Sequence, residues 1–184
     1  EFNEKKSYPK IRDNEQIVLF LGRITVQKGP DYFLAAAKKV LEKKQNVKFI
    51  VAGSGDMEGF MIEKAAEMGI GDKVLFTGFL QGDDVDRIYS MADLYVMPSV
   101  SEPFGITPLE AMRNNTPVLI SKQSGVSEVI SHALKVDFWD VNEMANKILS
   151  VLNYPPLHKC LQKNGAKEVT QFDWNITASK CINI

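Results

Sequence analysis

Six short apolar runs punctuate the chain: QIVLFLG (16–22), VKFIVAG (47–53), KVLFTG (73–78), ADLYVMPS (92–99), PVLIS (117–121) and ALKVDF (133–138). The continuous apolar character of the first marks a short buried strand, and the others read as further strands. The gaps between them suit crossover helices rather than hairpin turns. In the first gap Phe33, Ala36, Ala37, Val40 and Leu41 recur at helical spacing, and in the second Met57, Phe60, Met61, Lys64, Ala65 and Met68 do the same. Val85, Ile88 and Tyr89 mark a shorter helix, and Val141, Met144, Ala145, Ile148 and Leu149 a longer one that Asp140 caps with Glu143. Strands alternating with helices through short loops predict an α/β fold. The expected form is a doubly wound, mostly parallel, six-stranded Rossmann-like sheet with helices on both faces and its sixth strand at an edge. Two C-terminal helices follow Pro155-Pro156, the last starting near Asp173.

The ends differ from this middle. Residues 1–14 are polar, charged and without an apolar period, and read as a linker. Residues 15–171 form the predicted domain, and 172–184 a final helix with Trp174, Thr177, Cys181 and Ile184 on one stripe. A formal net charge of −1 argues against a nucleic-acid binder. The longest unbroken apolar run, Ile17 to Leu21, is far short of a membrane span. Cys160 and Cys181 have neither metal nor redox spacing, and are expected to pack as reduced thiols in a cytoplasmic protein.

Doubly wound sheets bind ligands outside the carboxyl ends of their strands, so the loops after the strands are where chemistry is expected. Arg23 and Lys28 both follow the first strand. Two cations beside a helix N-terminus oppose the helix dipole unless an anion sits between them, which points to phosphate or diphosphate. Gly53-Ser54-Gly55 with Gly59 follows the second strand rather than the first, and reads as a tight turn instead of a dinucleotide fingerprint. Asp84-Val85-Asp86 imitates a metal-binding DxD, but acids in a first helical turn favour the dipole and these two point to different faces. No metal is expected there. His132 and His158 lack partners at ligand spacing, and no serine or cysteine sits in a nucleophile elbow.

SEPFGITPLEAM (101–112) carries two carboxylates eight positions apart. Thr107, Pro108 and Glu110 fit the N-cap, N1 and N3 places of a capping box. Gly105 lets backbone amides approach an anion closely. Glu102 would repel that anion unless turned elsewhere, and sugar hydroxyls are a natural target for it. Glu110 is placed to serve a second set of hydroxyls. Phosphate in the middle with hydroxyls at both ends describes a nucleotide sugar.

SEPFGITPLEAM resembles the E-x7-E signature of the retaining glycosyltransferases of family 4, group 1. FLGRITVQKGPDYFLAA resembles the same family's GR…KG segment, and VKFIVAGSGDM, VLFTGFL and LYVMPSVSEPFG match in the same order. The likeness runs from about Ile17 to Ile130 and implies the C-terminal, donor-binding half of a two-domain GT-B enzyme. By that resemblance, Arg23 and Lys28 hold the diphosphate and stabilise the departing nucleotide, with Gly22 of the same segment in the donor site. Phe104 and the backbone around Gly105, Ile106 and Thr107 face the phosphates. Glu102 binds the donor sugar near the reacting carbon and is grouped with Arg23 and Lys28 as catalytic, Glu110 binds the ribose, and Phe79 and Leu80 line the base pocket. The implied reaction moves a hexosyl unit from a UDP-, GDP- or ADP-sugar to an acceptor hydroxyl without metal or other cofactor. A carbohydrate or lipid-linked acceptor would be held by an N-terminal domain toward which the last helix packs. The isolated domain would then be inactive, and the whole protein cytoplasmic, at the inner membrane face. The sequence departs from the pattern at Ser124-Gly125-Val126-Ser127-Glu128, where the family often has Gly-Gly-x-x-Glu, and in lacking a glycine turn before the last strand.

Three rivals stand beside this reading. A glycosidase would use Glu102 and Glu110 as its carboxylate pair, but leaves Arg23 and Lys28 unexplained. A non-catalytic nucleotide-binding module and a GT-B relative such as a nucleotide-sugar epimerase use the same pocket.

Overall fold

The computed structural model describes residues 14–172. The linker predicted over 1–14, save Asn14, and the last helix, from Asp173 on, lie outside the described residues.

The six strands are β1 (Gln16–Leu21), β2 (Val47–Ala52), β3 (Val74–Gly78), β4 (Leu94–Met97), β5 (Val118–Ser121) and β6 (Leu134–Val136). They form one sheet in the order β3-β2-β1-β4-β5-β6, and every pairing is parallel. Among the described residues seven α-helices accompany them: α1 (Pro30–Lys43), α2 (Glu58–Glu67), α3 (Asp83–Met91), α4 (Thr107–Arg113), α5 (Val126–Val129), α6 (Val141–Asn153) and α7 (Pro155–Val169). The four-residue α5 was not expected, being too short for a helical period to show in SKQSGVSE.

β1 explains the layering. Successive strand residues face opposite sides, so Val18 and Phe20 enter one core while Ile17 and Leu19 enter the other. The first core holds Phe33, Leu34 and Val40 of α1, Met61 of α2 and Ile148 of α6. The second holds Ile88 and Tyr89 of α3 with Ala111 and Met112 of α4. Phe33 is fully buried, with the rings of Phe20 and Phe49 each at 5.7 Å. Truncating such a side chain to alanine typically costs about 3–5 kcal/mol. On α2 the expected stripe holds for Met57, Met61, Ala65 and Met68, but Phe60 is 54% exposed, with the Lys64 ammonium 5.5 Å from its ring centre.

Asp140 caps α6 as expected, its Oδ1 accepting the Glu143 amide at 2.9 Å. Cys160 departs from expectation: it lies on the exposed side of α7, where Asn164 Nδ2 reaches its Sγ at 3.3 Å.

Candidate functional site

The strand order reverses at β1, which has β2 on one side and β4 on the other. A crevice therefore opens beyond the carboxyl ends of β1 and β4, the place where such sheets take ligands. The β1–α1 loop and the β4–α4 loop meet there and are tied by two hydrogen bonds. Val100 N donates to the Gln27 carbonyl and Gln27 Nε2 to the Ser101 carbonyl, both at 2.9 Å. Gly29 lies so close to Pro98 that a Cβ on it would fall 2.2 Å from the Pro98 carbonyl oxygen. Its φ of +66° independently favours glycine.

This docking brings Lys28 to Glu102. The ammonium donates to Oε2 in a partly buried ion pair, with the two side chains 22% and 12% exposed. Glu102 is thus turned to a cation of the same site. Arg23 behaves differently: it is exposed and makes no ion pair among the described residues. Ser99, in the same β4–α4 loop, buries a hydroxyl with no hydrogen-bond partner among the described residues.

Arg23 stands at the edge of a mostly apolar cavity of about 430 Å³. Leu21, Gly22, Ala52, Phe79, Leu80 and Val85 line it, so Gly22, Arg23, Phe79 and Leu80 from the sequence reading come together. Phe79 is 69% exposed, an open aromatic face at a cavity wall. The Gly-Ser-Gly turn shapes this wall by packing on the β1 loop. A Cβ at Gly53 would meet the Gly22 carbonyl oxygen at 1.9 Å, and one at Gly55 the Ile24 carbonyl oxygen at 2.3 Å. Ile24 N donates to Ser54 O at 3.0 Å and Met57 N to Ile24 O at 3.1 Å, closing the contact.

α4 starts differently from the predicted capping box. Ile106 is the N-cap, in helical conformation and without a side-chain cap bond, and Thr107 is the first helical residue. Thr107 Oγ1 instead accepts the Tyr95 hydroxyl at 2.8 Å, and Glu110 Oε2 accepts the Tyr89 hydroxyl at 3.1 Å. Both oxygens needed for the box are engaged by buried tyrosines. The amides of Gly105, Ile106 and Thr107 meet no acceptor among the described residues. Gly105 holds φ +91°, which side-chain-bearing residues rarely adopt, while Phe104 and Ile106 beside it are 41% and 57% exposed.

One contribution escaped the sequence reading, and another was read there only as a departure from the family pattern. The first is the tyrosine pair. Tyr89 and Tyr95 stack edge to face at 5.6 Å, and Tyr95 OH also lies 3.2 Å from the Leu21 carbonyl, just before Gly22. Burial pushes the Tyr89 phenol far up, with Tyr95 and Glu110 adding to it, so it serves as a donor at any physiological pH. Burial raises Tyr95 as well, against a smaller opposing effect of its bond to Thr107. The other is the Ser124 loop. Ser124 bridges to Glu102, Gly125 N donates to Glu102 O at 2.9 Å, and Val126 N to Phe104 O at 2.8 Å. A Cβ at Gly125 would lie 2.0 Å from the Pro103 carbonyl oxygen. The departure from Gly-Gly at Ser124 is accommodated because its hydroxyl donates to Ser121 O at 2.7 Å. The paired small residues facing Pro-Phe-Gly were the available sequence signal.

The remaining candidates are taken up elsewhere. Asp84 pairs with Arg87 at 3.5 Å, whereas Asp86 meets Arg113 at 3.6 Å and Asn114 Nδ2 at 3.0 Å, so the two acids diverge. The His158 ring meets the Asp93 carbonyl at 3.0 Å, and His132 contacts Glu168. Among the described residues no cluster of metal-ligating side chains forms, and no helix is long and apolar enough to cross a membrane.

The family model described as glycosyl transferases group 1 matches residues 1–168. An uncharacterized glycosyltransferase of Methanocaldococcus jannaschii is 36% identical over 179 residues, covering 95% of this chain and 45% of that protein. The C-terminal domain of the group 1 glycosyl transferase LpcC from Francisella tularensis superposes with a TM-score of 0.79 at 25% identity, covering 85% of each chain. Anabaena HepE, solved in complex with UDP-glucose, gives a TM-score of 0.78 at 22% identity over 86% of this chain and 44% of its own. The chain spans less than half the length of the curated relatives it matches.

Proposed function

The chain belongs to the group 1 glycosyl transferases, and we propose that it binds the nucleoside-diphosphate sugar donor of a retaining, family 4 hexosyltransferase at the β1/β4 crevice. Membership sets the glycosidase rival aside. The observation that carries the donor assignment is the apolar cavity at the crossover with Phe79 on its wall and Arg23, exposed and without an ion pair among the described residues, at its edge. The cavity suits a base, with Phe79 and Leu80 on its wall and Glu110 receiving the ribose hydroxyls. Arg23 and Lys28 then meet the diphosphate, joined by the open amides of Gly105, Ile106 and Thr107. The binding of UDP-glucose by HepE, a protein of the same fold, is in keeping with this donor class.

As the bond between anomeric carbon and phosphate oxygen breaks, its electron pair goes to the departing diphosphate. Arg23 and Lys28 stabilise that charge more in the transition state than in the bound donor. They do so without a divalent metal in this reading. Glu102, held beside Lys28, accepts hydrogen bonds from the donor sugar as positive charge grows on its ring. The acceptor is positioned by an N-terminal domain of the GT-B pair, and positioning supplies much of the rate. The 184-residue chain alone therefore binds donor but does not transfer.

Calorimetry with UDP, GDP and ADP, with and without chelator, tests the reading. Chelator-insensitive binding of one of them is expected. Failure of all three to bind, or loss of binding with chelator, would overturn it. For the whole enzyme, an α-linked product from an α-linked donor is expected by NMR, and inversion would remove the retaining assignment.

A further inference from the structure

We infer that Tyr89 is a positioning residue for nucleotide recognition, holding the Glu110 carboxylate in the orientation that selects a ribose over a deoxyribose. This rests on the ribose role of Glu110 proposed above. Tyr89 is fully buried on α3, one turn beyond Val85, which lines the cavity. Its ring is enclosed, with Tyr95 packed edge-on at 5.6 Å, and its backbone is anchored by the buried Thr116 Oγ1, which donates to the Tyr89 carbonyl at 2.6 Å. The hydroxyl is therefore a fixed donor, 3.1 Å from Glu110 Oε2. An ionised carboxylate has about four lone-pair sites on two oxygens. Occupying one fixes the carboxylate's rotation and leaves the rest for a vicinal pair of hydroxyls, without the entropy cost of ordering a free carboxylate on binding.

A hydroxyl that merely filled the core would behave differently on removal. It would change stability, and through stability the binding of every ligand alike. A hydroxyl acting through Glu110 changes only what Glu110 reads. The discriminating quantity is the ratio of affinities for a nucleoside diphosphate and for its 2′-deoxy and 3′-deoxy counterparts, which does not depend on the fraction of folded protein.

The test uses calorimetry on the wild type, Tyr89→Phe, Glu110→Gln and the double variant, with UDP, GDP or ADP, whichever binds best, and its deoxy forms. Tyr89→Phe is expected to weaken the ribonucleotide by about tenfold and the deoxy forms, each of which keeps one of the two hydroxyls, by clearly less. In the Glu110→Gln background the same substitution should add little. Equal weakening of ribo and deoxy forms, or a wild-type ratio in Tyr89→Phe beside a collapsed ratio in Glu110→Gln, overturns the inference and leaves the Glu110 reading standing. A wild-type ratio in Glu110→Gln itself removes the ribose role of Glu110 and this inference with it.

Discussion

Lys28 and Glu102, 74 positions apart in sequence, pair across the crevice where the β1–α1 and β4–α4 loops meet. The pair makes the two residues unequal partners of a diphosphate. A phosphate that approaches Lys28 shares it with a carboxylate that repels the newcomer. Lys28→Ala is expected to weaken nucleoside-diphosphate binding by about 1.5–3 kcal/mol, the range of a charge-assisted contact. Glu102→Gln removes the repulsion and should leave that binding equal or tighter, while abolishing the gain in affinity that the attached sugar provides. Calorimetry with the diphosphate and the intact donor measures both. Parallel losses of diphosphate affinity in the two variants would refute the competition.

Arg23 has no ion pair of its own to lose among the described residues and is exposed. Arg23→Ala should therefore change unfolding free energy by no more than about 0.5 kcal/mol. Diphosphate affinity should nonetheless fall, and the affinity of the bare nucleoside should stay as it is. A similar loss for nucleoside and diphosphate would place Arg23 on the base rather than on the phosphates.

Gly125 has an ordinary helical φ of −61°, so its need for glycine is one of space, not of backbone conformation. A methyl group there would sit 2.0 Å from the Pro103 carbonyl oxygen and push apart the loops joined by the Gly125–Glu102 and Val126–Phe104 hydrogen bonds. Gly125→Ala is predicted to lower the affinity for the intact donor more than that for the nucleoside. Thermal unfolding should report a loss of about 1–3 kcal/mol from the overpacking. Unchanged donor affinity would mean that the Ser124 loop does not hold Glu102 in place.

The contrast between Gly125 and the strands shows what was legible beforehand. The central strands announce themselves because burial on both faces favours apolar runs, and a helix separates each strand from the next. The edge strands β3 and β6 are only partly buried and were legible from their place in that alternation. Arg23, Lys28 and Glu102 could be picked out because charged residues beside the carboxyl ends of such strands need a reason. That Lys28 meets Glu102, and not only an anion, depends on loop docking at Gly29 and Pro98, a contact no local pattern encodes. Thr107 and Glu110 fitted a capping box on spacing alone, and tertiary hydrogen bonds from Tyr95 and Tyr89 overrode it. Those tyrosines were hidden for the same reason: in an apolar period a tyrosine reads as bulk, and its hydroxyl acquires a role only from a partner on another element.

Glu168 offers a test of the fold apart from the site. Its carboxylate, on the last turn of α7, accepts the amides of Ser131 and His132 at 2.7 and 2.8 Å and lies 3.1 Å from His132 Nδ1. Partial burial works to raise this carboxyl, yet the two amides and the His132 ring together hold it below its ordinary value of 4.5. A carboxyl held low in the folded state is protonated more readily in the unfolded chain. Its contribution to stability is thus complete above the ordinary value and fades as pH falls through the lower, folded one. Glu168→Gln should cost about 1–2 kcal/mol near pH 7, where the charged acceptor is lost from two amides. The gap between wild type and variant should narrow below about pH 4.5 and close once the folded carboxyl is itself protonated. Denaturant unfolding of both proteins across that range measures the gap directly, and a gap constant with pH would show that these amides do not depend on the charge of Glu168.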